Sequence, residues 1–173
     1  MASTYSALKI ELIATGEQSG TWGVTTNTNL GAALEEAIVG RATANFTSDA
    51  DLTISLTNTN ATQTARNYIL NVTSDVSLST TRNLIVPTIN KPYIIENSTT
   101  GSQSIIVKTA SGTGVTVPNG AVAMVYANGT NVVSAFTYTP SITTPSATIT
   151  GGTVSGITQL DVAGTSAAGA NLK

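Results

Sequence analysis

The chain is 173 residues long, with a formal net charge of −2 and 9% charged residues, where an ordinary soluble domain has roughly 25%. It has no histidine and no cysteine, which excludes disulfides, Cys or His metal sites, and Ser-His or Cys-His nucleophile pairs. Seven scattered Lys and Arg residues at a pI of 4.9 supply no concentrated basic footprint for nucleic acid.

Residues 1–6 lack the positive n-region and apolar h-region of a signal peptide. No apolar run approaches the ~18 residues of a membrane span, so a protein made in the cytoplasm, soluble or assembled and without a membrane partner, is expected. Residues 8–14 alternate apolar and polar, which predicts a strand. Gly16-Glu17-Gln18-Ser19-Gly20-Thr21-Trp22-Gly23 then reads as a tight glycine-rich loop around the one tryptophan. A buried Trp removes some 150–250 Å² from water, so the loop is expected to fold onto something apolar or to dock a partner.

One helix follows, over 27–39. Thr26 or Asn27 can cap it, Leu30, Ala33, Leu34, Ala37 and Ile38 form one apolar stripe, and Gly40 ends it. Arg41 stands where the helix dipole favours a cation, and Glu35 and Glu36 fall on the solvent side. From residue 42 the pattern is β, with strands expected over 43–47, 52–57, 67–73, 83–86, 93–97, 104–110, 114–117, 121–127 and 131–138. Asn128-Gly129 between two apolar runs predicts a type I′ hairpin, and Pro87 and Pro92 bracket an edge position. Beyond residue 139 single apolar residues, Ile149, Val154 and Ile157 among them, stand in Thr, Ser and Gly. One such chain cannot bury them, whereas several wound together can. The expected architecture is mainly β: a sandwich or barrel-like head over 1–139 with one short N-terminal helix, then an extended trimerising or linker segment over 140–173.

No catalytic constellation stands out. Asp49-Ala50-Asp51 offers two carboxylates where a hard cation takes six to eight oxygens, so a polar turn is the favoured reading. Adjacent Glu35 and Glu36 diverge by about 100° on a helix and cannot form a glycosidase pair. Gly112-Thr113-Gly114 lacks the lysine and helix of a phosphate loop. The hydroxyls have only Lys9, Lys91, Lys108 or Lys173 as a base, none in a recognisable Ser-x-x-Lys. The chain is therefore expected not to be an enzyme and to need no cofactor. Arg66-Asn67 and Arg82-Asn83 each open an apolar run, a weak internal echo of paired strands. In so uncharged a chain, Arg66 and Arg82 are candidates to pair with Asp75 or Glu96 across a subunit boundary.

The stretch Ser3 to Ile13, the run Gly16 to Gly23 and the segment Thr25 to Leu30 together resemble the opening of tail fibre proteins of marine and cyanobacterial tailed phages. The resemblance continues through Ala65-Arg66-Asn67, Arg82 to Pro87, Lys91 to Ile95, Gly112 to Pro118 and Val125 to Asn131, and Ile149 to Thr158 is similar to fibre-like segments. It implies a homotrimeric structural protein of the virion tail, whose head binds adaptor, nozzle or baseplate proteins and supports host adsorption. Relatives run on into a shaft and a receptor-binding tip, so contact with the host surface is expected only indirectly or through a missing distal part. Residues 1–40 are the expected docking surface, through Gly20, Trp22, Gly23, Asn27, Leu30 and Leu34. Arg66, Arg82, Ile149, Val154 and Ile157 are the expected inter-subunit residues, and 140–173 starts the shaft. Two rivals are a capsid decoration protein, which needs no extended C-terminal segment, and a carbohydrate-binding module, which needs exposed aromatics that this chain places mostly inside expected strands.

Overall fold

The structure is a computed structural model that describes residues 2–138. The segment 140–173, with Ile149, Val154 and Ile157, lies outside the described residues. The described chain is mainly β, with a short helical segment and open sheets in place of a closed barrel. Among the described residues no helix is long and apolar enough to cross a membrane.

Strands β1 (Thr4–Tyr5) and β2 (Glu11–Leu12) form a small hairpin. Helix α1 (Trp22–Thr28) runs through a π-helical stretch, Asn29–Leu34, into α2 (Glu35–Ile38). Nine strands follow, one for each expected: β3 (Arg41–Phe46), β4 (Leu52–Thr53), β5 (Ile69–Ser74), β6 (Arg82–Val86), β7 (Asn90–Asn97), β8 (Ile105–Thr109), β9 (Gly114–Val117), β10 (Val122–Asn128) and β11 (Val132–Ser134). They form a five-stranded sheet ordered β11-β10-β7-β5-β3 and a four-stranded sheet ordered β4-β6-β8-β9.

From β3 to β8 the chain alternates between the two sheets, so each sheet receives its strands in the same direction. Pairs β3–β5, β5–β7, β4–β6 and β6–β8 are all parallel. The winding stacks like on like: Ala42, Leu70, Ile95 and Ala123 line up across one sheet, and Leu52, Leu84, Val107 and Val115 across the other. Strands β9, β10 and β11 reverse direction and close that end, where the Val132 N–H donates to the Thr113 carbonyl at 3.0 Å. The core lies between the sheets, with Phe46, Leu70, Val72, Tyr93, Ile95 and Val125 facing Leu84, Val86, Ile105, Val107 and Val117.

Several local expectations are corrected. The strand expected over 52–57 stops at Thr53, because the Gln63 amide takes the Thr57 and Thr59 carbonyls, each at 3.0 Å, and folds that stretch into a loop. The last strand ends at Ser134, whose hydroxyl donates to the Phe136 carbonyl at 3.1 Å. The hairpin turn is centred one residue later than expected. Asn128 pairs with Asn131, and of the two central residues only Gly129 has positive φ, at +86°, the mark of a II′ turn rather than I′. Pro92 sits in a central strand, but pairing of β7 with β5 begins only at Ile94, so no parallel ladder is lost there. The runs after Arg66 and Arg82 enter different sheets and do not pair.

Two polar side chains of β7 enter this core. Asn97 donates to the Gln103 and Val117 carbonyls and accepts from the N–H and hydroxyl of Thr99, which satisfies the whole amide. Lys91 is buried and faces no carboxylate. Its Nζ donates to the Asn67 carbonyl at 2.9 Å and the Pro92 carbonyl at 3.2 Å, and lies 4.1 Å from the centre of the Tyr93 ring. Two carbonyls and the face of the Tyr93 ring receive the ammonium. Burial pushes the Lys91 pKa down to about 8 from its ordinary 10.5.

The unfolded chain therefore binds more protons than the folded one between about pH 8 and 10.5, and stability rises with pH across that window. Near pH 10 the trend reverses, because burial holds the Tyr93 hydroxyl protonated in the fold well above its ordinary 10.0. Melting temperatures between pH 7 and pH 10 are expected to climb in the native chain and to stay flat in Lys91→Met. Parallel curves for the two proteins would show that Lys91 is not the group responsible.

Candidate docking surface

The N-terminal region is fastened to the sheets by polar groups. Arg66, in the 3₁₀ turn Thr64–Arg66, has no exposed surface at all. Its Nε donates to the Leu8 carbonyl at 3.0 Å. Nη1 donates to Glu36 Oε2 at 3.0 Å and the Ala61 carbonyl at 3.1 Å, and Nη2 to the Thr59 carbonyl at 2.9 Å and the Lys9 carbonyl at 3.4 Å. A guanidinium has five N–H donors, and all five are engaged. One side chain thereby ties the β1–β2 turn, the helical segment and the 59–61 loop together. Lys9 sits at φ +59°, a left-handed conformation unusual for a side-chain-bearing residue, at the point where Arg66 takes its carbonyl.

A second knot surrounds Glu11. Its carboxylate accepts from Asn60 Nδ2 at 2.9 Å and from Gln18 Nε2 at 2.6 Å, while its backbone carbonyl accepts from Asn29 Nδ2 at 2.8 Å. Gln18 in turn accepts from the Thr25 hydroxyl. Glu36, expected to be solvated, is instead largely buried and also accepts the Gln63 N–H at 3.2 Å. These contacts use the polar side of the helical segment together with buried Ala33.

The apolar side is left outward. Leu30 is 56% exposed and Ile38 59%, with Leu34 between them on the same face at four-residue spacing. Trp22, 61% exposed, does not fold back onto an apolar surface but begins helix α1, whose N-cap is Thr21 in place of Thr26 or Asn27. The glycines before it serve the backbone: Gly16 and Gly20 have φ of +84° and +83°, and a Cβ at Gly20 or Gly23 would meet nothing within 4 Å. Asn27 and Gly20 are exposed and Gly23 lies within α1, so the six expected docking residues share one continuous segment. Val24 and Val39 extend the exposed apolar surface at its two ends.

The arginines expected between subunits both make ion pairs within the chain. Arg66 is sealed inside its own chain against Glu36, and Arg82 Nε donates to Asp49 Oδ1 at 2.8 Å in the same chain. Glu96, one of the two partners expected for either, pairs with Arg41. Arg82 and the Ser79 hydroxyl hold the Asp49 carboxyl well below the usual range, and Asp51 accepts both the N–H and the amide of Asn83. Asp49 and Asp51 therefore fasten a loop to β6. The residues missed from the sequence are Glu11, Gln18, Asn29, Asn60 and Glu36, whose partners lie as far as 49 positions away, beyond the reach of any local spacing.

Arg66→Ala is expected to cost about 3–5 kcal/mol in urea unfolding, the range for breaking one half of a buried ion pair. It should also open residues 13–21 to limited proteolysis, and Arg66→Lys should not restore protection, since three donors cannot replace a five-donor fork. Unchanged proteolysis in both variants would show that another contact holds the segment. Compared with protein-family models, curated proteins and solved structures, the chain matches no family model, no curated protein and no solved structure.

Proposed function

We propose that this chain is a structural, non-enzymatic protein of a phage tail fibre, and that residues 1–139 are the head that attaches the fibre to the tail. The head docks on an adaptor, nozzle or baseplate protein through the helical segment, and 140–173 begins a shaft in which three copies wind together. What carries the reading is the apolar stripe of Leu30, Leu34 and Ile38, held outward on a segment that is rigidly fastened from its other side. A fold that needs this stripe for its own core would bury it, and exposed apolar surface of this kind marks an interaction site. The resemblance of Gly16 to Gly23 and its flanks to tail fibre openings supplies the kind of partner.

Immunogold labelling of particles carrying this chain tests the location, with gold expected on the tail; gold on the capsid would instead favour a decoration protein. Leu34→Glu with Ile38→Glu, both on the surface, is expected to leave the melting temperature unchanged and to abolish incorporation into particles. Light scattering of the purified full chain is expected to give the mass of three copies, and a monomer at micromolar concentration counts against the shaft.

A further inference from the structure

Two asparagines are followed directly by glycine, Asn119-Gly120 between β9 and β10 and Asn128-Gly129 between β10 and β11. Such a pair can react with itself, because glycine has no Cβ to shield its amide nitrogen from the preceding side chain. Both asparagines are exposed, so access to water does not separate them. Their hydrogen bonds do.

In the first pair the reacting groups are engaged. Gly120 donates its N–H to the Asn97 carbonyl at 2.8 Å, which shields the proton that a base must remove. Asn119 Nδ2 donates to the Thr99 carbonyl at 2.6 Å and the Thr99 hydroxyl oxygen at 3.4 Å, while its Oδ1 accepts nothing among the described residues. In the second pair each group is in the opposite state. The Gly129 N–H makes no hydrogen bond among the described residues, and neither does Asn128 Nδ2. Asn128 Oδ1 instead accepts from the Thr130 N–H at 3.1 Å and the Asn131 N–H at 2.8 Å. Two fixed donors thus sit at the oxygen on which negative charge collects when a nucleophile adds to the amide carbon. Nucleophile and leaving group are free, and the oxygen is held.

We propose that Asn128 is a site of spontaneous self-deamidation, and that the turn around Asn119 protects its own asparagine from the same reaction. A base removes the Gly129 amide proton, and the nitrogen lone pair forms a bond to Asn128 Cγ. The tetrahedral adduct takes a proton from water and expels the side-chain nitrogen as ammonia, which leaves a cyclic imide. One water then opens the imide at either carbonyl, giving aspartate or isoaspartate. Across both steps one water is consumed and one ammonia is released, with no oxidation or reduction. Each copy gains one carboxylate in a chain that has only nine acidic residues. The aspartate product keeps the Thr130 and Asn131 N–H groups on its side chain, now as charge-assisted hydrogen bonds, so the turn persists with a charge in it. The reaction is intramolecular and does not depend on what the head docks on.

Peptide mapping by mass spectrometry follows both asparagines in the full chain, kept folded at mildly alkaline pH. Conversion at Asn128 is expected to run about fivefold or more ahead of Asn119, the ratio that one net backbone hydrogen bond supplies. The same chain unfolded in guanidinium chloride is expected to convert the two at comparable rates, since each asparagine then precedes a glycine in open chain. A more acidic form resolved by ion exchange should grow in step with the Asn128 conversion. It should grow severalfold more slowly in Asn128→Gln, whose longer side chain closes the ring poorly. The proposal is overturned if Asn119 keeps pace with Asn128 in the folded chain, if neither converts, or if the acidic form grows equally in Asn128→Gln. It is equally overturned if the lead of Asn128 persists undiminished in the unfolded chain, which would assign it to the flanking sequence and not to the turn.

Discussion

The buried guanidinium of Arg66 is the contact on which the relation between helix and sheets depends. Its turn is gripped from the core side as well, where Tyr93 donates its hydroxyl to the Ala65 carbonyl at 3.1 Å and Lys91 donates to the Asn67 carbonyl. The two residues that flank Arg66 are thus held by β7 on one side, while Arg66 itself holds the N-terminal segment on the other. Burying a guanidinium is costly unless every donor is satisfied. Here the acceptors are four backbone carbonyls and one carboxylate, all from segments that have no hydrogen-bonded ladder with the large sheets. The orientation of the helical segment is a consequence: its polar side must meet Arg66 and Glu11, so its apolar side faces outward.

That inversion explains where sequence reading succeeded and where it failed. A helical period at Leu30, Ala33, Leu34, Ala37 and Ile38 is a statement about sidedness, and it found the helix. It says nothing about which side faces the protein. The usual assumption that the apolar side does so fails here because the segment is held by side-chain hydrogen bonds in place of packing. The same hydrogen bonds placed Glu36 inward, against the expectation for a charged residue on a helix. Trp22 misled for a related reason. Glycines around an aromatic suggest room made for a ring, but Gly16 and Gly20 are there for their positive φ.

The strands were legible because their signals are local. Val-, Ile- and Thr-rich runs separated by Gly, Asn and Pro located all nine, and errors gathered at ends where a side chain such as Gln63 or Ser134 takes over the backbone. Topology was not legible. Alternation between sheets with parallel return depends on pairings such as Leu52 with Leu84, 32 residues apart, and no turn signal encodes them. The interleaved parallel arrangement also lets apolar rows recur across the buried face of each sheet.

Scarcity of charge links these features. Each of the ion pairs Arg41–Glu96, Arg66–Glu36 and Arg82–Asp49 joins segments distant in sequence, so those charges organise the fold itself. Lys91 is drawn into the core, where burial lowers its pKa. The helix stripe and the outer rows of β7, β10 and β11 are then left with hydroxyls, amides and apolar groups. Such surfaces have no electrostatic field to steer a partner over distance, and they select by shape and hydrogen-bond geometry at contact. An uncharged exterior also exacts little desolvation when it is covered, which favours permanent assembly at the apolar stripe.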